Sequence, residues 1–232
     1  TNVEASANGS DGKISFEDAF AYSSNTAFAQ LGVSLGDDAI AQQAKRFGFG
    51  ESITVDGNDS TGSPMKAIAS TFPTGIAADK LALASIGQGD VQETPLQNAL
   101  IASAVANGGT LMRPTLVDRV RASDLSVVSQ TPPAVMSQAF THDTADKLTA
   151  MMQGVVTKEN TNLEIDGIKV AAKTGTAQIG VANARIDGWV IGFAPADDPK
   201  IAVAVVVHNV DVLGSYAAGP IMKQMMQEVL QR

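Results

Sequence analysis

A chain of 232 residues, 44% hydrophobic and 17% charged, can bury one sizeable core and is best read as a single domain, far from the composition of disorder. Its net charge of −8 and pI near 4.7 repel phosphate backbones and anionic headgroups, which argues against nucleic acid as a partner. Without cysteine there is neither a disulfide framework nor a thiolate metal site, and the longest strongly apolar stretch, Ile201 to Val207, is far too short to span a bilayer. Nothing at Thr1 resembles an initiator or a signal peptide. Thr1 therefore reads as the start of a fragment whose upstream part, with a membrane anchor, is expected elsewhere.

From Asn2 to Lys13 the chain is rich in Gly, Ser, Asn and Asp and reads as a loop. Ser15 then caps a helix through Phe16, Ala19 and Phe20, with Asp18 as the acidic residue three places on. That helix ends near Tyr22-Ser23-Ser24-Asn25 and another begins at Thr26, which puts Ser23 and Asn25 at a helix-to-helix corner. Asp37 or Asp38 opens a further helix that stops at Gly48, and a long loop is expected from Gly48 to Gly75. Leu81 to Ile86 forms a short helix before the turn Gly87-Gln88-Gly89. Thr94 and Pro95 then start a buried helix that stops at Gly108-Gly109.

Leu116 to Arg121 and Leu125 to Ser129 read as a hairpin, and Thr141 or Asp143 caps a helix carrying Leu148, Met152 and Val155. The period then changes. Ile168 to Lys173, Trp189 to Ala194 and Ile201 to His208 read as three short-linked strands, hence antiparallel, followed by a last helix entered near Pro220. Met151, Met152, Met222, Met225 and Met226 are expected in the core.

Two stretches carry chemistry. Ser23 at the corner offers a hydroxyl able to pass a proton, and Asn25 a carboxamide able to hold a substrate amide; the plain alternative is a cap between helices. Lys173-Thr174-Gly175-Thr176 follows 150 residues after Ser23 and places an ammonium at the rim of a sheet. Gly175 clears the way for close backbone approach, and the Thr176 amide can donate to an oxyanion. Here the plain alternative is a strand end with a solvated lysine.

A nucleophile of the Ser-x-x-Lys kind matches by letter at Ser10 to Lys13 and at Ser63 to Lys66; both read as decoys, although Pro64 suits a helix start. His142 and His208 have no ligand-like spacing, so no metal is expected, nor any cofactor. Asp197-Asp198-Pro199 reads as a hairpin turn, and Gly48-Phe49-Gly50, like Gly87-Gln88-Gly89, as a turn.

Taken in order, Ser23-Ser24-Asn25, Gly87-Gln88-Gly89, Thr94-Pro95-Leu96-Gln97, Ala106-Asn107-Gly108-Gly109, Lys173-Thr174-Gly175-Thr176 and Trp189 to Pro195 resemble the transpeptidase domain of penicillin-binding proteins, nearest the class B enzymes of the actinobacterial A type. The resemblance covers nearly the whole chain, residues 1–232 being one incomplete transpeptidase domain. It implies an α/β (α+β) fold of the β-lactamase/transpeptidase kind, an antiparallel sheet flanked by helices with its N-terminal part missing. The activity implied is peptidoglycan D,D-transpeptidation through a serine acyl-enzyme that β-lactam antibiotics inhibit.

Carried over, Ser23 is the proton-shuttling serine, Asn25 its substrate-positioning amide and Lys173 the source of the cationic field. Thr174 and Thr176 bind the substrate carboxylate, Gly175 stands between them, and the Thr176 amide is half of the oxyanion hole. The resemblance also implies peptidoglycan stem peptides as substrate, a partner glycosyltransferase, and the extracytoplasmic face of the bacterial plasma membrane as location. One element is out of place: the Ser-x-x-Lys nucleophile should precede Ser23, so it is expected upstream of Thr1, and the chain alone is expected to be inactive. The other classes compatible with these motifs are a serine β-lactamase and a non-catalytic β-lactam sensor or pseudoenzyme.

Overall fold

The computed structural model describes residues 13–58, 60–180 and 185–231. The loop expected from Asn2 lies outside them up to residue 12, and with it Ser10 of the first Ser-x-x-Lys string. Helix α1 (Phe16–Ala21) starts where Ser15 Oγ accepts the Asp18 amide at 3.0 Å. Helix α2 (Asn25–Leu35) is capped by Ser24, whose Oγ accepts the Ala27 amide at 3.1 Å, and α3 (Asp37–Arg46) follows Gly36.

The loop expected from Gly48 to Gly75 is corrected: strands β1 (Ile53–Asn58) and β2 (Pro64–Ala67) pair antiparallel inside it, Ile53 opposite Ala67 and Thr54 opposite Lys66. Three consecutive β-branched residues, Ile53, Thr54 and Val55, favour extended backbone, and Ile53 anchors the hairpin in a cluster with Leu100, Ala104 and Leu111. Pro64 thus opens a strand rather than a helix. Ser63 lies just before β2 and Lys66 within it, so the pair lacks the helical turn that would stack the two side chains as a nucleophilic dyad.

Helix α4 (Ala78–Ala84) starts three residues earlier than expected, and α5 (Pro95–Ala106) begins with Thr94 Oγ1 accepting the Gln97 amide at 3.1 Å. Strands β3 (Thr110–Met112) and β6 (Val135–Gln138) form a pair that the sequence did not announce. Between them β4 (Arg119–Arg121) and β5 (Val127–Gln130) make the anticipated hairpin. Helix α6 (His142–Lys158) is capped by Thr141.

Strands β7 (Ala171–Ile179), β8 (Arg185–Ala194) and β9 (Ile201–Val210) form an antiparallel sheet in the order β7-β8-β9, with Asp197-Asp198-Pro199 in the turn between the last two. The first of these strands is shifted from its expected span. Ile165 and Ile168 bridge across the Asp166-Gly167 turn, so the strand begins only at Ala171. Lys173 is therefore its third residue, not its last, and the whole Lys173 to Thr176 segment runs within it. Helices α7 (Gly214–Ala217) and α8 (Gly219–Leu230) close the described chain.

Both faces of the sheet are covered. Ala172, Val190 and Val203 pack with Met222 and Met226 of α8 and with Val156 and Leu163, while Ala171 and Phe193 pack with Val105 of α5 and Met152 of α6. The methionine reading holds for Met152, Met222 and Met226 and is corrected for Met225, which α8 turns toward solvent at 46% exposure.

One close approach fixes α7 on the sheet. A Cβ on Gly214 would stand 2.2 Å from the Gly175 carbonyl and 2.5 Å from that of Trp189, both rigid backbone. Gly214→Ala is expected to destabilise the chain by about 3 kcal/mol, the upper end for overpacking, lowering Tm by roughly 6–12 °C. A calorimetric shift below 2 °C would show that α7 can lift off without loss.

Candidate active site

Ser23 is held by the end of α1. The Ser24 amide donates to Ala19 O at 2.8 Å and the Ser23 amide to Phe20 O at 3.3 Å, the paired bonds of a helix end that turns left-handed. Ser23 takes that left-handed position at φ +55°, where glycine is the usual occupant. A non-glycine residue there stores about 1–3 kcal/mol, which the rest of the fold sustains. The bend exposes Ser23 at the corner, while Ser24, buried, caps α2. Asn25, the first residue of α2, stands exposed two places beyond Ser23.

Lys173 arrives from the sheet. Its Nζ donates to Ser23 Oγ, 150 residues away in sequence, and to Thr174 O at 3.0 Å. The Phe20 ring lies beneath it, 5.8 Å from nitrogen to centroid, within cation–π range. Burial pushes the ammonium pKa down to about 8, against an opposing pull from the Glu159 carboxylate. Lys158 Nζ meets Asp18 at 2.6 Å and ties α1 to the end of α6. Both partners are exposed, so this pair sets orientation more than stability.

Of the residues singled out in the sequence, Ser23 and Lys173 are in direct contact, and Thr174 joins them through its carbonyl. Thr176 lies further along β7; its Oγ1 accepts the Gly214 amide at 3.4 Å, on the face opposite Lys173. A Cβ on Gly175 would press on Trp189 Cβ at 3.2 Å, so the neighbouring strand itself favours glycine there.

Four residues of this neighbourhood have contacts that the sequence did not announce. Phe20 looked like an ordinary apolar helix position, and Asp18 and Lys158 gave no sign of pairing. Gln88, within the turn that its neighbouring glycines predict, donates from Nε2 to Thr176 O at 3.3 Å. Its flanking glycines were the available signal. The two histidines each face a single carboxylate, His142 that of Asp146 and His208 that of Asp187.

The sequence of the Penicillin binding protein transpeptidase domain matches residues 3–227. The chain belongs to that family. This transpeptidase chain is 38% identical over 214 residues to peptidoglycan D,D-transpeptidase PbpA of Mycolicibacterium smegmatis, covering 90% of this chain and 42% of that protein. The PbpA of Mycobacterium tuberculosis is 38% identical over 231 residues, 96% of this chain and 45% of its own. The transpeptidase chain thus spans less than half the length of these curated relatives.

Among solved structures, penicillin-binding protein A of M. tuberculosis superposes with a TM-score of 0.84 at 37% identity, over 96% of this chain and 53% of that one. Its ceftriaxone acyl-enzyme complex superposes at 0.86 and 36% identity, over 96% and 50%. The fold is that of the β-lactamase/transpeptidase group, as the motifs implied.

Proposed function

We propose that the protein containing this transpeptidase chain cross-links peptidoglycan as a serine D,D-transpeptidase, with residues 1–232 forming one incomplete domain. The observation that carries the proposal is the Lys173 ammonium on the Ser23 hydroxyl, at a rim built from two ends of the chain. Because Nζ donates to Oγ, the hydroxyl hydrogen of Ser23 is free to point into the groove. Ser23 can then give that proton to the nitrogen of the departing terminal D-Ala while it draws one from Lys173. Nitrogen gains the proton as the C–N bond breaks; the acyl carbon is by then bonded to the nucleophile's oxygen, whose own proton has passed to the lysine of its Ser-x-x-Lys. A second stem peptide's amine takes the acyl group in the reverse sense, returning a proton along the same path.

In this reading the Lys173 charge attracts the substrate's terminal carboxylate, which the Thr174 and Thr176 hydroxyls bind. Gly175 keeps the strand close to β8 so that both threonines stay in line. Asn25 positions the substrate amide, and the Thr176 amide supplies half of the oxyanion hole. The nucleophile comes from a Ser-x-x-Lys segment preceding Ser23 in the intact protein. β-Lactams enter as mimics of the donor peptide. The site acts at the extracytoplasmic face of the plasma membrane, alongside a glycosyltransferase that supplies glycan strands.

Peptide mass mapping of the intact protein after penicillin treatment tests this. The acyl group is expected on a serine of an upstream Ser-x-x-Lys, and residues 1–232 alone are expected to remain unlabelled. Acylation of Ser23 or Ser63 would overturn the assignment, and rapid turnover of nitrocefin would mark a β-lactamase instead.

A further inference from the structure

We propose that Gln88 is a displaceable clasp on the free edge of β7, a positioning residue that an incoming peptide must move aside before it can pair with Thr176. The inference rests on the transpeptidase reading for the identity of the peptide, and on the following geometry for the clasp itself.

Among the described residues β7 has one strand neighbour, β8, so its other edge is unpaired. In an antiparallel strand the N–H and C=O of one residue leave on the same side and alternate from residue to residue. Thr174 O is reached by Lys173 Nζ at 3.0 Å, and Thr176 O by Gln88 Nε2 at 3.3 Å, from outside the sheet. Both carbonyls therefore point off the free edge, and both are covered by side-chain donors. Edge strands are commonly protected against unwanted pairing, and these two donors protect this one.

Gln88 is well placed for the task. The Gln88 amide donates to Leu83 O at 3.0 Å and the Gly87 amide to Ala84 O at 3.0 Å, while Gly87 takes φ +72°. This is the same left-handed helix ending that holds Ser23, and it fixes the backbone of residue 88 to the end of α4. Only the side chain has to move. Gly87 and Gly89 are exposed on either side of it, and Gln88 itself is half-buried against β7.

A donor peptide lying along β7 as an added strand needs an acceptor for its own N–H, and the outward Thr176 carbonyl is that acceptor. A carbonyl oxygen can accept two hydrogen bonds, but the Gln88 carboxamide stands off the free edge where the added strand would lie, so the two compete for the same space. Removing the clasp leaves the carbonyl to water, which a peptide displaces more readily. The gain expected is that of one neutral hydrogen bond, about two- to tenfold in binding. The first-order acylation step, which follows displacement, does not involve Gln88.

The test uses the intact protein and two β-lactams that differ at the relevant atom. Penicillin G carries an acylamino N–H able to pair with Thr176 O; imipenem carries a hydroxyethyl group there and offers no amide. Stopped-flow acylation separates the dissociation constant of the non-covalent complex from the acylation rate constant. Gln88→Ala, and Gln88→Met which keeps the length without the donor, are both expected to lower that dissociation constant for penicillin G by about two- to tenfold. The rate constant should hold within about twofold, and imipenem should be unaffected. Equal shifts for both drugs, or a shift confined to the rate constant, would overturn the clasp while leaving the transpeptidase reading intact. A wild-type protein that penicillin does not acylate would remove the reading and the clasp together.

Discussion

Replacing Ser23 or Lys173 by alanine in the intact protein is expected to slow acylation by penicillin by about 10²–10⁴-fold, the range for loss of a positioned proton-transfer group. In the proposed mechanism the two side chains act as one relay, and Nζ does donate directly to Oγ. The double variant should therefore lie within about tenfold of the worse single one, because groups that act as a unit are not additive. Lys173→Arg separates the two duties of the ammonium. A guanidinium keeps the positive field but does not release a proton at accessible pH. It should preserve binding of the anionic drug and still lose most of the rate. Less than a tenfold loss in either alanine variant, measured with a fluorescent penicillin, would remove Ser23 and Lys173 from the chemistry.

The pH dependence follows from the same lysine. Burial lowers its pKa from the usual 10.5 to about 8. The protonated form that donates to Ser23 prevails below about 8, so acylation is expected to fall about tenfold per pH unit above that value. An unshifted lysine would place the descending limb beyond pH 10. Stability moves the other way. Below about 8 both folded and unfolded chains hold the proton, and the fold bears the full penalty of the buried charge. Between 8 and 10.5 the unfolded chain binds more protons than the folded one, so stability rises with pH until the difference vanishes. Urea midpoints for residues 1–232 at pH 7 and pH 9.5, compared with Lys173→Met, isolate this contribution. Identical slopes in the two proteins would show that Lys173 titrates normally.

Much of the helical framework was legible because its signals are local. Ser15, Thr94 and Thr141 cap where capping chemistry predicts, and Pro95 stands at the start of α5. What escaped depends on tertiary partners. The β1–β2 hairpin sits in a segment rich in Gly, Ser and Thr, where composition outweighs the short β-branched run from Ile53. β7 starts at Ala171 and not at Ile168, although Ile168 and Val170 look as strand-like as Ala171 and Ala172, because a turn at Asp166-Gly167 decides between them. At the site, Ser23 and Lys173 could be matched as motifs, yet the left-handed backbone of Ser23 had no signature, since serine there takes a place glycine normally fills. Gln88 belonged to a recognisable turn, and nothing local told where its carboxamide would reach.

The separation between serine and lysine also bears on biosynthesis. A ribosome adding about 5–20 residues per second completes the Ser23 corner roughly 7–30 s before Lys173 leaves the exit tunnel. Until β7 docks, the corner has no cation beside it, so this constellation is among the last features to mature and among those of highest contact order. A nascent chain would thus pass through an interval in which its helices are formed but the Ser23–Lys173 contact is not.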